Sequence, residues 1–378
     1  MKDNIYLDNN STTPIEPRVL DAMLPFLREN FANSNSAHHF GQAVNHKVKM
    51  ARMQIAGFIN AEHNEVIFTS GATESINIAI KGVAQNYSNR GKHIVTISTE
   101  HKAVLDTCKD LEGKGFTITY LPVLEDGLVN LADFDSAIRA DTILVCVMYV
   151  NNETGVIQPI KEMASLVHAK GAAIMVDATQ AVGKIDVDVD ELNIDLLCFS
   201  GHKMYAPKGI GVLYVRKGAN KIKLTPQMHG GGHEGGLRSG TLNVPGIVAL
   251  AKACEIAEEE MKDNEKVIGD LRDRLENELL KLPNCSLNGS AVNRIYNTTN
   301  ICFSGHDANV WIGRMRNISV SNGSACSSAI VEPSHVLKAM KLTDEDAFAS
   351  LRFSLGKYNT GENIDTVIEK IRELTQSS

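Results

Sequence analysis

The sequence of 378 residues lacks the patterns that mark several large classes of protein. No apolar run is long enough to cross a bilayer, and the opening MKDNIYLDNNSTTP contains no apolar stretch of signal-peptide length. The seven cysteines include no Cys-x-x-Cys pair, and no two of the 12 histidines have the spacing of a zinc protease motif. We therefore expect a cytoplasmic protein with reduced thiols, no disulfide framework and no bound metal.

An excess of positive charge is also lacking. The 38 Lys and Arg residues are outnumbered by 45 Asp and Glu residues, which gives a formal net charge of -7. A general affinity for nucleic acids or anionic membranes is therefore not expected. The hydrophobic share of 43% and the charged share of 22% are those of an ordinary globular protein, and the length predicts more than one domain.

Short apolar runs alternate with longer amphipathic runs over the first 215 or so residues. The predicted strands are 65–69, 93–98, 117–121, 142–147, 173–177, 195–199 and 210–215. The predicted helices between them are 73–85, 103–114, 131–139 and 160–170. This alternation predicts an α/β fold with a largely parallel sheet, flanked by helices on both faces.

The pattern changes after Val244. A long helical stretch is predicted over 245–280, broken or bent near 262–264, and short strands and helices follow it. We predict a large α/β domain, residues 16–255. A smaller α+β domain is predicted from residues 1–15 together with 256–378.

Polar side chains follow five of the predicted strands, at the point where each strand ends. They are Thr73 in FTSGATES, His101 in STEHKAV, Asn152 in YVNNETG, Asp177 in MVDATQAVGK, and Ser200, His202 and Lys203 in CFSGHK. Each has a simple structural explanation: Thr and Asp are common helix N-caps, Asn forms turns, His caps helices, and most lysines are solvated.

A functional explanation accounts for the same residues together. The carboxyl ends of parallel strands meet at one edge of a sheet, where α/β proteins bind ligands. That edge would hold helix N–H groups for a phosphate, an acid for a pyridine nitrogen, an imidazole to stack on a ring, and a desolvated amine for an aldehyde. These are the needs of pyridoxal 5'-phosphate (PLP), so the set predicts a PLP site.

One cysteine stands apart from the others. Cys326 lies in VSNGSACSSAIVEPS, among glycine, alanine and serine residues that cannot form an apolar core. The segment is typical of a surface loop. Its thiol is either idle or a nucleophile.

The segments TSGATES, STEHKAV, VNNETG, VDATQAVGK, FSGHK, GGGHEGGLRSGT, NGSACSS and LRFSLG resemble those of the cysteine desulfurases. These are PLP-dependent transferases of fold type I, with an aspartate aminotransferase-like fold, in the class V group. The resemblance begins at YLDNNSTTP and covers essentially the whole chain.

The resemblance implies a role for each candidate residue toward the cofactor. Lys203 would carry PLP as a Schiff base, Asp177 would keep the pyridine nitrogen protonated, and His101 would stack on the ring and transfer protons. Gln180 would hydrogen-bond the ring oxygen, and Asn152 would lie near the ring oxygen and the substrate. The phosphate would be bound by Ala72, Thr73, Ser200 and His202, and by Thr241 from the partner subunit of a homodimer.

The resemblance also implies the substrate and the reaction. Arg352, with Asn152 beside it, would bind the α-carboxylate of L-cysteine, and the Cys326 thiolate would take the sulfur as a persulfide while L-alanine leaves. A sulfur-acceptor protein would then receive it, for iron–sulfur cluster assembly or nucleic-acid thiomodification. A transaminase of the same fold, a selenocysteine lyase and a PLP-binding scaffold without turnover are the alternatives.

Overall fold

The computed structural model describes residues 4–218, 221–323 and 332–376. Its strands are β1 (Ile5–Tyr6), β2 (Val66–Thr69), β3 (His93–Ile97), β4 (Thr117–Leu121), β5 (Thr142–Met148), β6 (Ala173–Asp177), β7 (Leu196–Ser200), β8 (Gly211–Val215), β9 (Cys285–Leu287), β10 (Thr298–Phe303), β11 (Ile318–Ser319) and β12 (Ser350–Ser354). Its α-helices are α1 (Pro17–Arg28), α2 (His39–Phe58), α3 (Ala72–Tyr87), α4 (Lys102–Glu112), α5 (Leu131–Ala137), α6 (Ile160–Ala169), α7 (Val244–Leu279), α8 (Ala308–Arg314), α9 (His335–Ala339), α10 (Asp344–Phe348) and α11 (Gly361–Gln376).

A seven-stranded sheet in the order β2-β8-β7-β6-β5-β3-β4 forms the centre of the molecule. Strand β8 runs antiparallel to both of its neighbours, and the pairs on the other side of β7 are parallel. Every residue of β3, β5, β6 and β7 is buried, as expected for strands covered on both faces. The predicted α/β class with a mostly parallel sheet is confirmed.

Each predicted strand of this sheet is present, with its ends shifted by a residue at most. The helices α1 and α2 and the short elements β1, β9 and α10 were not predicted. The long helix α7 has 36 residues and continues through 262–264, where a break or bend was expected. Its first half packs on the large core through Ile247 and Leu250, and its second half contributes Leu275 to another cluster.

That other cluster joins the two ends of the chain. Ile5 and Leu7 pack with apolar residues of β10, β12 and α11. Strand β1 pairs with β11, and β12 pairs with β10 in a three-stranded sheet with β9. However, Val336 and Met340 belong to the large core, and the predicted boundary at 255/256 falls inside α7. The division into two domains therefore stays a prediction. Among the helices described, none is both long and apolar enough to cross a membrane.

Candidate active site

A cavity of about 580 Å³ opens at one edge of the seven-stranded sheet. Residues that follow the carboxyl ends of β2, β3, β5, β6 and β7 line it, as the sequence predicted. Of the predicted site residues, it is lined by Ala72, Thr73, His101, Asn152, Asp177, Gln180, Ser200, His202, Lys203 and Arg352. The remaining two predicted site residues are Thr241 and Cys326.

The amino terminus of α3 forms one wall of the cavity. Gly71 is the N-cap, with a φ of 155° that favours glycine, and it provides no side-chain cap. Thr73 lies in the first turn of the helix and is therefore not the N-cap that the simple explanation required. The first N–H groups of a helix have no partner within the helix, and they favour an anion. This wall is suited to a phosphate group.

Glu74 would oppose an anion at this wall, but its charge is paired. Its carboxylate accepts hydrogen bonds from Arg238 Nε at 2.7 Å and from Ser70 N at 2.7 Å. Burial raises the pKa of Glu74, yet the hydrogen bonds from Arg238 and Ser70 outweigh burial and hold the pKa below its usual value. Arg238 is the first residue of RSGT and Thr241 is the last. This segment therefore supplies the positive charge that is paired with Glu74 at the cavity.

Asp177 is the last residue of β6 and is buried. Its Oδ1 accepts a hydrogen bond from Thr179 N at 3.0 Å, which closes a turn. No helix follows, so the helix N-cap explanation is wrong. A buried carboxylate needs a cationic or hydrogen-bonding partner. Because Asp177 lines the cavity, a protonated ring nitrogen there would be such a partner.

Lys203 ends a short 3-10 helix, Gly201–Lys203, that follows β7. Its Nζ donates to the main-chain oxygens of Asn10 at 2.5 Å and Ser11 at 2.7 Å. Burial, and next the positive charge of Arg352, lower the pKa of the Lys203 amine to about 8. The explanation as a freely solvated lysine is therefore wrong, because the Lys203 side chain is half-buried and its amine is bound to two main-chain oxygens.

The two histidines at the cavity differ in their surroundings. His101 is the N-cap of α4, and its Nδ1 accepts from Ala103 N at 3.0 Å, so a neutral ring carries its proton on Nε2. His101 thus both caps a helix and lines the cavity. Burial, followed by the charges of Lys203 and Lys208, lowers the pKa of His202 to about 4, which keeps this ring neutral.

Arg352 reaches the cavity from β12. Its Nη2 donates to Asp8 Oδ1 at 2.5 Å and to Ser11 Oγ at 2.8 Å, and its Nη1 donates to Asn152 O at 2.9 Å. Its Nε is buried and has no hydrogen-bond partner among the described residues. A buried donor without a partner is costly. The hydrogen bonds to Asp8, Ser11 and Asn152 fix the guanidinium in place. Its remaining N–H donors are available to a carboxylate.

Thr241 is not among the residues that line this cavity. Thr241 is exposed, and its predicted role requires the partner subunit. Cys326 lies outside the described residues. The described residues nearest to it in sequence are Gly323 on the amino side and Glu332 on the carboxyl side. Ser334 lies two residues beyond Glu332, and its Oγ donates to the buried Glu153 carboxylate. A Cβ on Gly323 would lie 2.3 Å from Glu153 Oε2, so this carboxylate contacts residues on both sides of the cysteine segment.

Several residues of the site were not assigned from the sequence. Asn10 and Ser11 bind Lys203 through main-chain oxygens, and Asp8 binds Arg352. These three belong to YLDNNSTTP, a stretch recognised only as part of the resemblance. Glu153 follows Asn152 in VNNETG. Burial raises its pKa to about 7, against the opposing effects of the Ser334 hydrogen bond and Arg352.

Glu100 is a further buried acid beside the site. Its Oε1 accepts from Met148 N at 2.6 Å, and its Oε2 has no partner in the part of the chain that is described. Burial raises its pKa well above the usual value, and the nearby Asp177 charge adds to that effect. The buried carboxyl of Glu100 therefore favours its neutral form more than an exposed glutamate does, which limits negative charge behind Asp177.

These residues fit PLP in size and in chemistry. The helix amino terminus would bind the phosphate, Asp177 the pyridine nitrogen, and the Lys203 amine the aldehyde. Thr179 also lines the cavity, and its buried hydroxyl has no hydrogen-bond partner among the described residues. No group of three His, Cys, Asp or Glu residues suited to a metal occurs in residues 4–218, 221–323 and 332–376. The class defined by this fold and cavity is a PLP-dependent enzyme.

Comparisons with known proteins identify the family. A family model described as "Aminotransferase class-V" matches residues 5–367. The curated cysteine desulfurase IscS of Dechloromonas aromatica (strain RCB) is 48% identical, covering 99% of this chain and 95% of that protein. A solved NifS-like protein has a TM-score of 0.93 at 39% identity, covering 99% of this chain and 100% of that chain. The structure of "SspA in complex with cysteine" has a TM-score of 0.83 at 38% identity, covering 94% of this chain and 100% of that chain.

The chain therefore belongs to the class-V aminotransferases and, within them, to the PLP-dependent cysteine desulfurases. The family and cofactor predicted from the sequence are confirmed. The roles of individual residues stay predictions.

Proposed function

We propose that this enzyme transfers the sulfur of L-cysteine to Cys326 and releases L-alanine. The observation that carries the proposal is the convergence of Lys203, Asp177 and Arg352 on one cavity. An amine of lowered pKa, a buried carboxylate and a fixed guanidinium match the aldehyde and ring nitrogen of the cofactor and the carboxylate of an amino acid.

PLP, when bound, supplies an aldehyde that takes up the substrate amine and a protonated ring that withdraws electrons from the substrate Cα. The residues of the chain provide the rest. Arg352 holds the substrate carboxylate and so orients the Cα–H and Cβ–S bonds. Asp177 keeps the ring nitrogen protonated, because an ionised acid favours a proton on its hydrogen-bond partner.

Lys203 is the group best suited to move the Cα proton. A pKa of about 8 leaves part of the amine neutral near pH 7.5, and a general base works best when its pKa is near the working pH. The hydrogen bonds to Asn10 O and Ser11 O hold Nζ at the cavity wall. His101, through Nε2, is the second group able to pass a proton.

The sulfur transfer balances without any external oxidant or reductant. The Cys326 thiolate attacks the substrate sulfur, the S–S bond forms, and the Cβ–S bond breaks. The electron pair of the broken bond stays with the substrate carbon, which is then protonated to give alanine. The products are L-alanine and a persulfide on Cys326, and the persulfide sulfur passes to an acceptor protein.

Alanine formation tests the proposal directly. Purified holoenzyme given L-cysteine and a thiol reductant is expected to form alanine and sulfide in equal amounts with no keto acid added. Alanine formation that depends on a keto acid would favour a transaminase instead. A much higher kcat/KM for selenocysteine than for cysteine would favour a selenocysteine lyase, and no turnover with any acceptor would favour a scaffold.

Replacement of Arg352 is expected to weaken substrate binding more than cofactor binding. Arg352→Gln should raise the KM for L-cysteine roughly 10- to 100-fold, because a charge-assisted hydrogen bond contributes about 1.5–3 kcal/mol. Arg352→Lys keeps the charge but loses the planar fork, so its KM should lie between those of wild type and Arg352→Gln. Initial rates over a range of cysteine concentrations measure this. A wild-type KM in Arg352→Gln with PLP still bound would contradict the role.

A homodimer is also part of the proposal. Large apolar side chains are exposed on α1, α2 and the connection between them: Leu27 at 56%, Phe31 at 71%, Met50 at 50% and Met53 at 55%. An exposed apolar area of this kind is typical of an interface. A second copy of the chain is the proposed occupant, since Thr241 is exposed away from its own cavity and would serve the partner's phosphate site.

The destination of the sulfur is proposed more broadly. The acceptor would be a protein of iron–sulfur cluster assembly or of nucleic-acid thiomodification, acting in the cytoplasm. The net charge of -7 supports transfer to a protein over direct contact with nucleic acid. Trapping the persulfide complex with candidate acceptors would identify it.

A further inference from the structure

We propose that Lys184 is a positioning residue that makes Gln180 an obligate hydrogen-bond donor toward the cavity. The inference deepens the proposed function, because it rests on Gln180 facing the ring oxygen of bound PLP. Nothing in the sequence patterns assigned a role to Lys184 beyond its place in VDATQAVGK.

Lys184 is a buried amine without an acidic partner. Its exposed fraction is 6%, and its Nζ donates to Gln180 Oε1 at 2.5 Å and to Asn10 Oδ1 at 3.3 Å. No ion pair in the described part of the chain includes Lys184. Both of its acceptors are neutral amides. Because burial of an amine away from any carboxylate costs stability, a role in folding alone does not explain this lysine.

The contacts of Lys184 determine the orientation of the Gln180 amide. A protonated lysine only donates hydrogen bonds, so the oxygen of the amide must face Nζ. On the other side, Gln180 Nε2 donates to Asn10 O at 2.8 Å, and a carbonyl oxygen only accepts. The amide is therefore fixed from both sides, and its second N–H is the polar group left for a ligand. Gln180 lines the cavity, so it is prepared to bind an acceptor.

The same contacts connect Lys184 to Lys203. Asn10 O accepts from Lys203 Nζ as well as from Gln180 Nε2. Asn10 is held in turn by hydrogen bonds from its Nδ2 to Thr298 Oγ1 at 2.9 Å and Asn152 O at 3.2 Å. Lys184, Gln180 and Asn10 thus form one rigid chain of hydrogen bonds that ends at the amine of Lys203.

Charge around Lys184 is consistent with such a role. Burial, and after it the charges of Lys203 and Arg352, lower the pKa of Lys184 to about 7. Positive charge behind Gln180 would also favour the anionic form of an oxygen that Gln180 binds. The geometry carries the inference, because a neutral Lys184 amine still has N–H groups to donate to Gln180 Oε1.

Affinity for PLP and the absorbance of the bound cofactor test the proposal without relying on turnover. Lys184→Met should weaken PLP binding to the apoprotein by roughly tenfold or more, as expected when a hydrogen bond to a charged group is lost. The absorbance maximum of the bound cofactor should shift, because the environment of its ring oxygen changes. Lys184→Arg, which keeps donors, should recover part of both. Lys161→Met on α6, an exposed lysine, is the matched control.

A double-mutant cycle with Gln180→Leu separates positioning from a general structural effect. If Lys184 acts through Gln180, Lys184→Met should change PLP affinity little when Gln180 is already replaced. An equal loss in both backgrounds would overturn the proposal, as would wild-type affinity and absorbance in Lys184→Met. Should that variant not fold, Lys184→Ala is tested in the same cycle. A wild type that binds PLP but makes no alanine would defeat the proposed function and leave this result unaffected.

Discussion

Lys203→Ala is expected to lower alanine formation from L-cysteine by at least roughly 10³-fold, since covalent attachment and proton transfer each contribute large factors. The visible absorbance of covalently attached PLP should be lost, although PLP can still bind through the phosphate and ring contacts. The physical reason is that, among the described residues that line the cavity, no amine other than Lys203 combines a pKa near 8 with hydrogen bonds to Asn10 O and Ser11 O.

Absorbance spectra before and after addition of L-cysteine, together with alanine assays, measure this effect. Lys170→Ala is a suitable control, because that lysine lies at the end of α6 and pairs with Asp135 at the surface. An unchanged visible spectrum in Lys203→Ala would contradict the assignment of the attachment site. Normal turnover without covalent attachment would contradict the role of this amine in catalysis.

Cys326→Ala should leave the cofactor and the binding of L-cysteine intact and yet abolish alanine formation, again by roughly 10³-fold or more. The Cβ–S bond of the substrate cannot break in the proposed way without a thiolate to accept the sulfur. Spectral changes on addition of L-cysteine should therefore persist in the variant. Mass spectrometry of the wild type should find one additional sulfur atom on the peptide that contains Cys326.

Cys285→Ala is the matched control for this experiment. Cys285 is a partly exposed thiol on β9, and burial, with a smaller contribution from Cys302, raises its pKa to about 11. It is therefore protonated at neutral pH and should be dispensable. Full alanine production by Cys326→Ala, or the additional sulfur on Cys285, would refute the choice of Cys326 as the acceptor.

The central sheet could be predicted from the sequence because its strands are short, apolar and separated by amphipathic helices. The cavity followed from the same pattern, since the residues after the strand ends carry unusual polar side chains. Helix α1 was missed because Pro25 lies inside it and suggests a break. Helix α2 was missed although Val44, Val48, Ala51 and Ile55 recur on its buried face.

Other parts of the site have no local signal. Asn10 and Ser11 bind Lys203 through main-chain oxygens, and every residue has such an oxygen. The pairing of Asp8 with Arg352 and the burial of Lys184 beneath Gln180 depend on how distant segments pack. Residue type alone suggested that Thr73 or Asp177 would cap a helix, and only the backbone conformation showed otherwise.

The pairing of the two ends of the chain has a consequence for biosynthesis. Asp8 meets Arg352, and Asn10 N donates to Ser354 Oγ, across sequence separations of 344 residues in both cases. A ribosome makes the first partner of each pair long before the second, and contacts so far apart in sequence form late. The carboxylate-binding part of the pocket is therefore complete only after nearly all of the polypeptide has left the ribosome, so a nascent chain stalled before residue 350 should not bind L-cysteine, even if it holds the vitamin-derived cofactor.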